Sequence, residues 1–171
     1  RRGYDLNDQL AAFLDTAATD ASIRVKQDYH ETLADLLRAG FTETWTGWAR
    51  AHGYLTRNQA HGSPGNLLDL YALADIPETE SFGSSRFPIP GLRVDENYEV
   101  ERFGTPNPLA MKFASSAAHL TGKPLVSSET TTWLADHFKV SLSQIKPQVD
   151  ELFAAGINHV FFHGTTYSPQ N

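Results

Sequence analysis

HGSPGNLLDLYALADIPETESFG, residues 61–83, decides the fold. Glycine and proline turn chemistry leads into a short apolar run, and the run ends at a proline followed by two glutamates, Glu78 and Glu80. The spacing predicts a turn over 61–65, a short helix over 66–72, and a strand over 73–76 that stops at Pro77, since proline has no N–H to give to a ladder. Two residues apart in an extended segment, Glu78 and Glu80 share one side. Read as bland structure they are a solvated loop entry. Read as chemistry they are acceptors for sugar hydroxyls or oxygen ligands for a hard cation such as calcium.

Upstream, 54–60 reads as a strand and 8–17 as a short helix. Between them, 20–51 has apolar residues at three- and four-residue spacing, which predicts one long helix or two abutting ones, capped by Asp20 or Ser22 and ended by Gly53. Trp45 and Trp48 are expected to pack that helix onto the sheet, with His30, His52, His119 and His137 on helix surfaces. Downstream come a long Gly/Pro-rich loop over 81–105, a small-residue helix over 106–120, a strand over 123–129, a helix over 143–156 and a strand over 157–164. The run "HVFF" does not alternate, which predicts burial on both faces, as in parallel sheets. Alternating strands and helices make this an α/β chain. Four strands are half of a (β/α)8 TIM-like barrel, which needs about 250 residues in full.

The 171 residues hold enough apolar material for one core, and net charge −6 without a basic cluster argues against nucleic acid as a partner. There is no cysteine, so disulfides and thiolate metal sites are excluded. No run of 18 apolar residues is present, so no membrane-spanning helix is expected and no membrane partner is called for. The opening "RRGYDL", without an initiator methionine, reads as the middle of a longer chain. The expected domain is 1–171 as the C-terminal half of a barrel, with the missing half of its own chain as a partner.

Each strand ends in polar residues: Asn58, Gln59 and His61; Glu78 and Glu80; Ser128, Glu129 and Trp133; His163 and Tyr167. In a parallel barrel these ends converge on one face, where chemistry sits. Glu129 is either a helix-capping acid or a catalytic carboxylate. His61 and His163 are hydroxyl partners or satisfied core histidines, and Trp133 is a stacking platform for a sugar ring. HExxH, GxSxG, Walker and GxGxxG patterns are absent. Carboxylate chemistry remains, and glycoside hydrolysis is its commonest two-acid form.

"RNQAHGSPGNLLDLYALADIPETESFG", "PLVSSETTTW", "AAGINHVFFHGTTYSP" and "RRGYDL" closely resemble the bacterial α-L-rhamnosidases of glycoside hydrolase family 106. The resemblance implies a (β/α)8-like catalytic barrel in a large multidomain protein, periplasmic or secreted, acting on a rhamnose-containing carbohydrate by inversion with calcium near the sugar. It implies Glu129 as general base and a general acid on a strand preceding "RRGYDL". The polar strand ends offer sugar contacts from Gln59, His61, Glu80, Trp133, His163 and Tyr167, and the resemblance places Glu78 and Glu80 at the pocket rim or the calcium. Glu80 as the acid, a retaining β-glycosidase of a related barrel family, and a non-catalytic carbohydrate-binding remnant stay open as alternatives.

Overall fold

A computed structural model describes residues 2–83, 90–91, 99–132 and 140–164. A 3-10 turn (Leu6–Gln9) opens into α1 (Leu10–Leu14). Then α2 (Asp20–Leu36), a π-helical segment (Leu37–Thr42) and α3 (Glu43–Ala51) run as one continuous helix. The cap is Thr19, not Asp20 or Ser22. Thr19 has extended backbone and its Oγ1 accepts from Ser22 N at 3.2 Å, while Ser22 Oγ accepts from Thr19 N at 3.1 Å. Ser22 is therefore the return half of a capping box. Gly53, at φ +78°, ends the helix as expected. Trp48 is not on its buried face, and Trp45 is only half-buried. Thr42, Thr46 and Ala49 are buried, whereas Trp48 is 57% exposed and stacks on His52 and Tyr54.

Next come β1 (Arg57–Gln59), α4 (Leu67–Leu73) and β2 (Ile76–Phe82). The second strand begins where the sequence suggested it would stop. Asn66 Oδ1 caps α4 through Leu68 N at 3.0 Å, and the helix consumes "LLDLYAL". Pro77 is the second residue of β2, a position where a missing donor is tolerated. Glu78 and Glu80 are thus inside a strand rather than in a loop beyond one. Of the long connection that follows, the described part contains α5 (Val100–Phe103).

Asn107 caps α6 (Pro108–Thr121), which has Pro108 in its first turn and ends at Gly122 with φ +68°. Then follow β3 (Ser127–Thr132), α7 (Leu142–Ala154) and β4 (His159–Phe162). A second capping box, Ser141 with Gln144, starts α7. Glu129 is the third residue of β3, which displaces the reading of it as a helix-capping acid.

All four strands are parallel and lie side by side in chain order, β1-β2-β3-β4, with α4, α6 and α7 in the crossovers. Register partners on successive strands include Gln59, Glu78 and Ser127, and then Glu80, Glu129 and Phe161. Because side chains alternate along a strand, these residues share one face, here called the open face. Thr79, Ser81, Ser128 and Thr130 point to the other and are buried; Thr79 Oγ1 donates to Ala110 O of α6 at 3.2 Å. Between Glu80 and Phe82 the ladder slips, so that Phe82 pairs with Thr132 and β3 carries one extra residue, a bulge. Thr131 within it has φ +71°.

The core joins Leu70 and Tyr71 of α4, Met111, Ala114, Ala117 and Ala118 of α6, and Leu152 of α7 beneath the strands. The alanines let α6 approach closely, as its composition suggested. β4 departs from expectation: Phe161 and Phe162 are 37% and 60% exposed. β4 is an edge strand of the described sheet, and its unbroken apolar run is not buried on both faces.

Candidate functional site

The open face is polar because β1, β2 and β3 each place a hydrogen-bonding side chain at alternate positions. Glu129 stands at its centre. Its Oε2 accepts from Gln59 Nε2 at 2.6 Å, and its Oε1 lies 3.0 Å from His163 Nδ1. Glu80, its register partner on β2, has Oε2 3.3 Å from His61 Nε2, whose Nδ1 lies 3.5 Å from the hydroxyl of Tyr71. Two carboxylates on neighbouring strands therefore have one histidine each.

Tyr71 is completely buried, and burial pushes its phenol up to about 12, against the lowering effect of backbone contacts at His61 and Ala60. It is a neutral donor that fixes His61 beside Glu80. A carboxylate only accepts, so the contact with Glu80 places a proton on His61 Nε2. The β3 bulge does the same service for His163: Thr131 Oγ1 donates to His163 O at 3.0 Å, and Thr132 Oγ1 lies 3.2 Å from its Nδ1.

Glu78 differs from the other two acids. It is 5% exposed; its Oε2 meets Arg57 Nε at 2.9 Å and Ser127 Oγ at 2.7 Å, and its Oε1 accepts from Gln59 Nε2 at 3.1 Å. Calcium needs six to eight oxygens. Among the described residues no three His, Asp or Glu side chains converge to hold a metal, and both Glu78 oxygens face donors. Glu78, paired in this way, does not fit a calcium shell.

Of the residues singled out from sequence, Gln59, His61, Glu78, Glu80, Glu129 and His163 are brought together. Asn58 and Ser128 alternate to the opposite face, where Ser128 is buried. Trp133, His137 and Tyr167 lie outside the described residues. Sequence reading missed Arg57, Ser127, Thr131 and Thr132. The first two were findable, since each stands two residues before a recognised site residue, Gln59 or Glu129, on the same strand face.

An α/β chain whose parallel strands gather carboxylates with amide and histidine partners has the organisation of a glycosidase. This chain belongs to the α-L-rhamnosidases of glycoside hydrolase family 106, matching that family over residues 1–171. It is also similar to the solved rhamnosidase from Novosphingobium sp. PP1Y, at 25% identity and TM-score 0.71 over 98% of this chain. The matched part is 15% of that protein, so this chain spans a small share of its relative's length. No curated protein matches it.

Proposed function

We propose that residues 1–171 are the C-terminal half of the (β/α)8 catalytic barrel of an α-L-rhamnosidase, and that Glu129 is the general base of an inverting hydrolysis. The observation that carries this reading is the pair of donors, Gln59 at 2.6 Å and His163 at 3.0 Å, that hold the two oxygens of Glu129 on the open face. A carboxylate so fixed has a defined direction in which to take a proton. Water attacks the anomeric carbon of a terminal α-L-rhamnoside from the face opposite the leaving group and gives its proton to Glu129. The bond to the aglycone oxygen breaks as a general acid protonates it, releasing rhamnose with inverted configuration.

Parallel strands in chain order, each joined to the next through a helix, are the repeating unit of such a barrel and support its being the parent fold. Glu80 is the register neighbour of Glu129, and adjacent strands run about 4.8 Å apart. Inversion needs carboxyls about 6.5–9.5 Å apart. That disfavours Glu80 as the acid.

The test is Glu129→Gln in the full-length enzyme, with an aryl α-L-rhamnoside as substrate. Loss of kcat by about 10²–10⁴-fold, with the fold and rhamnose binding kept, is expected for a general base. Wild-type turnover by that variant overturns the assignment, and NMR of the first-formed anomer checks inversion separately.

A further inference from the structure

The mechanism above does not use Glu78, although it is the most heavily hydrogen-bonded acid on the open face. Building on Glu129 as the base, we propose that Glu78 is a positioning residue: it orients the Gln59 amide, and through it the Glu129 carboxylate, rather than binding a cation.

An amide nitrogen carries two hydrogens. Gln59 gives one to Glu78 Oε1 at 3.1 Å and one to Glu129 Oε2 at 2.6 Å, so both are committed. Turned over, the amide would set its oxygen against two carboxylates, so the chemistry fixes which end faces them. Glu78 is buried, and a buried charge is costly unless paired and hydrogen-bonded. Arg57 and Ser127 saturate Oε2, which leaves Oε1 directed at Gln59. Arg57 is in turn held with its guanidinium carbon 3.8 Å from the ring centroid of Phe161, a cation–π contact. Phe161 is the register partner of Glu129 on β4. The contacts Phe161–Arg57–Glu78–Gln59–Glu129 therefore close a circuit across all four strands, and the base is its last member.

A double-mutant cycle in the full-length rhamnosidase tests this. Glu78→Gln keeps the volume but turns one of the two acceptor oxygens into a donor, so the side chain can no longer accept from Gln59 while also accepting from Arg57 and Ser127. It is expected to lower kcat about 10²-fold with KM little changed, the size of effect a small misplacement of a reacting group produces. Gln59→Ala should do the same, and the double variant should be no worse than Gln59→Ala alone, because Glu78 has nothing left to act through. Losses that multiply overturn the proposal. If Glu78→Gln does not fold, Ser127→Ala enters the same cycle, with a several-fold loss expected that vanishes beside Gln59→Ala.

Thermal melting with added calcium chloride is the readout independent of turnover. Wild type and Glu78→Gln should respond identically, and a calcium-dependent rise lost only in the variant would make Glu78 a ligand and overturn the positioning role. A multiplying cycle with Glu129→Gln inactive refutes positioning alone. Full activity of Glu129→Gln refutes the base reading instead.

Discussion

His163 Nδ1 and Glu129 Oε1 meet at 3.0 Å across β3 and β4, and the histidine is the first residue beyond its strand. Since the carboxylate only accepts, Nδ1 carries the proton in this contact. His163 is 59% exposed on its side chain, so the bond is solvent-screened and its worth is modest. His163→Ala in the full-length enzyme should lower kcat/KM for an aryl rhamnoside about 10-fold, equivalent to about 1.4 kcal/mol of transition-state stabilisation. His163→Asn, whose amide nitrogen reaches the place of Nδ1, should recover most of that. Equal losses in both variants would show that the donor is not what matters.

Thr131 separates stability from activity. A β-branched residue at φ +71° costs about 1–2 kcal/mol, a penalty glycine does not carry. Thr131→Gly relieves it but surrenders the hydroxyl bond to His163 O, about 1 kcal/mol, and adds backbone freedom to the unfolded chain, about 0.5–1 kcal/mol. The net change in urea unfolding should stay within about 1 kcal/mol because these oppose one another. Turnover should fall severalfold, since His163 loses an anchor. A loss of about 1.5–2 kcal/mol, the lost bond and the added backbone freedom with nothing opposing them, would mean that Thr131 is unstrained.

Asp75 ties the end of α3 to the start of β2. Its Oδ2 accepts from Thr56 N and Oγ1, both at 2.8 Å, and its Oδ1 from Arg50 Nε at 2.8 Å. Burial alone would push this carboxyl up, but the Thr56 backbone N–H, Arg50 and the Thr56 hydroxyl together hold it below its ordinary 3.8. A group whose native value is depressed adds stability above its unfolded value and loses it as pH falls through the native one. The stability gap between wild type and Asp75→Asn should therefore be constant at neutral pH and shrink below about pH 4, the unfolded carboxylate range. Asp75→Ala leaves the buried Thr56 N–H without its acceptor and should cost about 1–3 kcal/mol. A gap that is unchanged down to pH 2 would refute the assignment.

Gly83 closes β2 where no side chain fits. Its φ is +75°, and a Cβ there would lie 2.3 Å from Gly104 O and 2.5 Å from Gly104 C, both backbone atoms. Gly83→Ala combines left-handed strain with overpacking against an unyielding neighbour, and should cost about 2–4 kcal/mol in denaturant unfolding. Gly62→Ala is the control: it has a similar φ of +78° but open space around it, so only the strain applies. Equal costs at the two positions would mean that the close approach to Gly104 is irrelevant.

The α/β alternation, the helices at 66–72 and 106–120, and the shared side of Glu78 and Glu80 were readable because periodicity and caps are local signals. β2 lies beyond the expected 73–76 because a proline near a strand's start removes only one donor and does not end the strand. The cap at Thr19 was missed for a neighbouring serine, because the box is symmetric in sequence and only backbone angles tell cap from return. Within the site, the glutamates and histidines were visible as residue types, but their pairing was not. Gln59 reaching past β2 to Glu129 depends on a register that brings together residues 70 apart in the chain. The exposure of Trp48 and Phe162 likewise depends on what stands beside them, which periodicity along one chain does not report.

The extra residue in β3 falls after Glu129, not before it. Up to Glu129 the strands keep step, and beyond it they are out of phase by one. The chain therefore has a point on one side of which length is rigidly counted and on the other side of which it is free. Removing a residue between 127 and 129 would turn Glu129 toward the helices and bring Ser128 or Thr130 to the open face, exchanging an acid for a hydroxyl without changing composition near the site. Removing Thr131 would spare that order and disturb only the approach to His163. Directed recombination of this region with a longer relative should respect the same boundary: crossovers after residue 131 preserve the alignment of acids, whereas crossovers that alter the count within 127–129 scramble it.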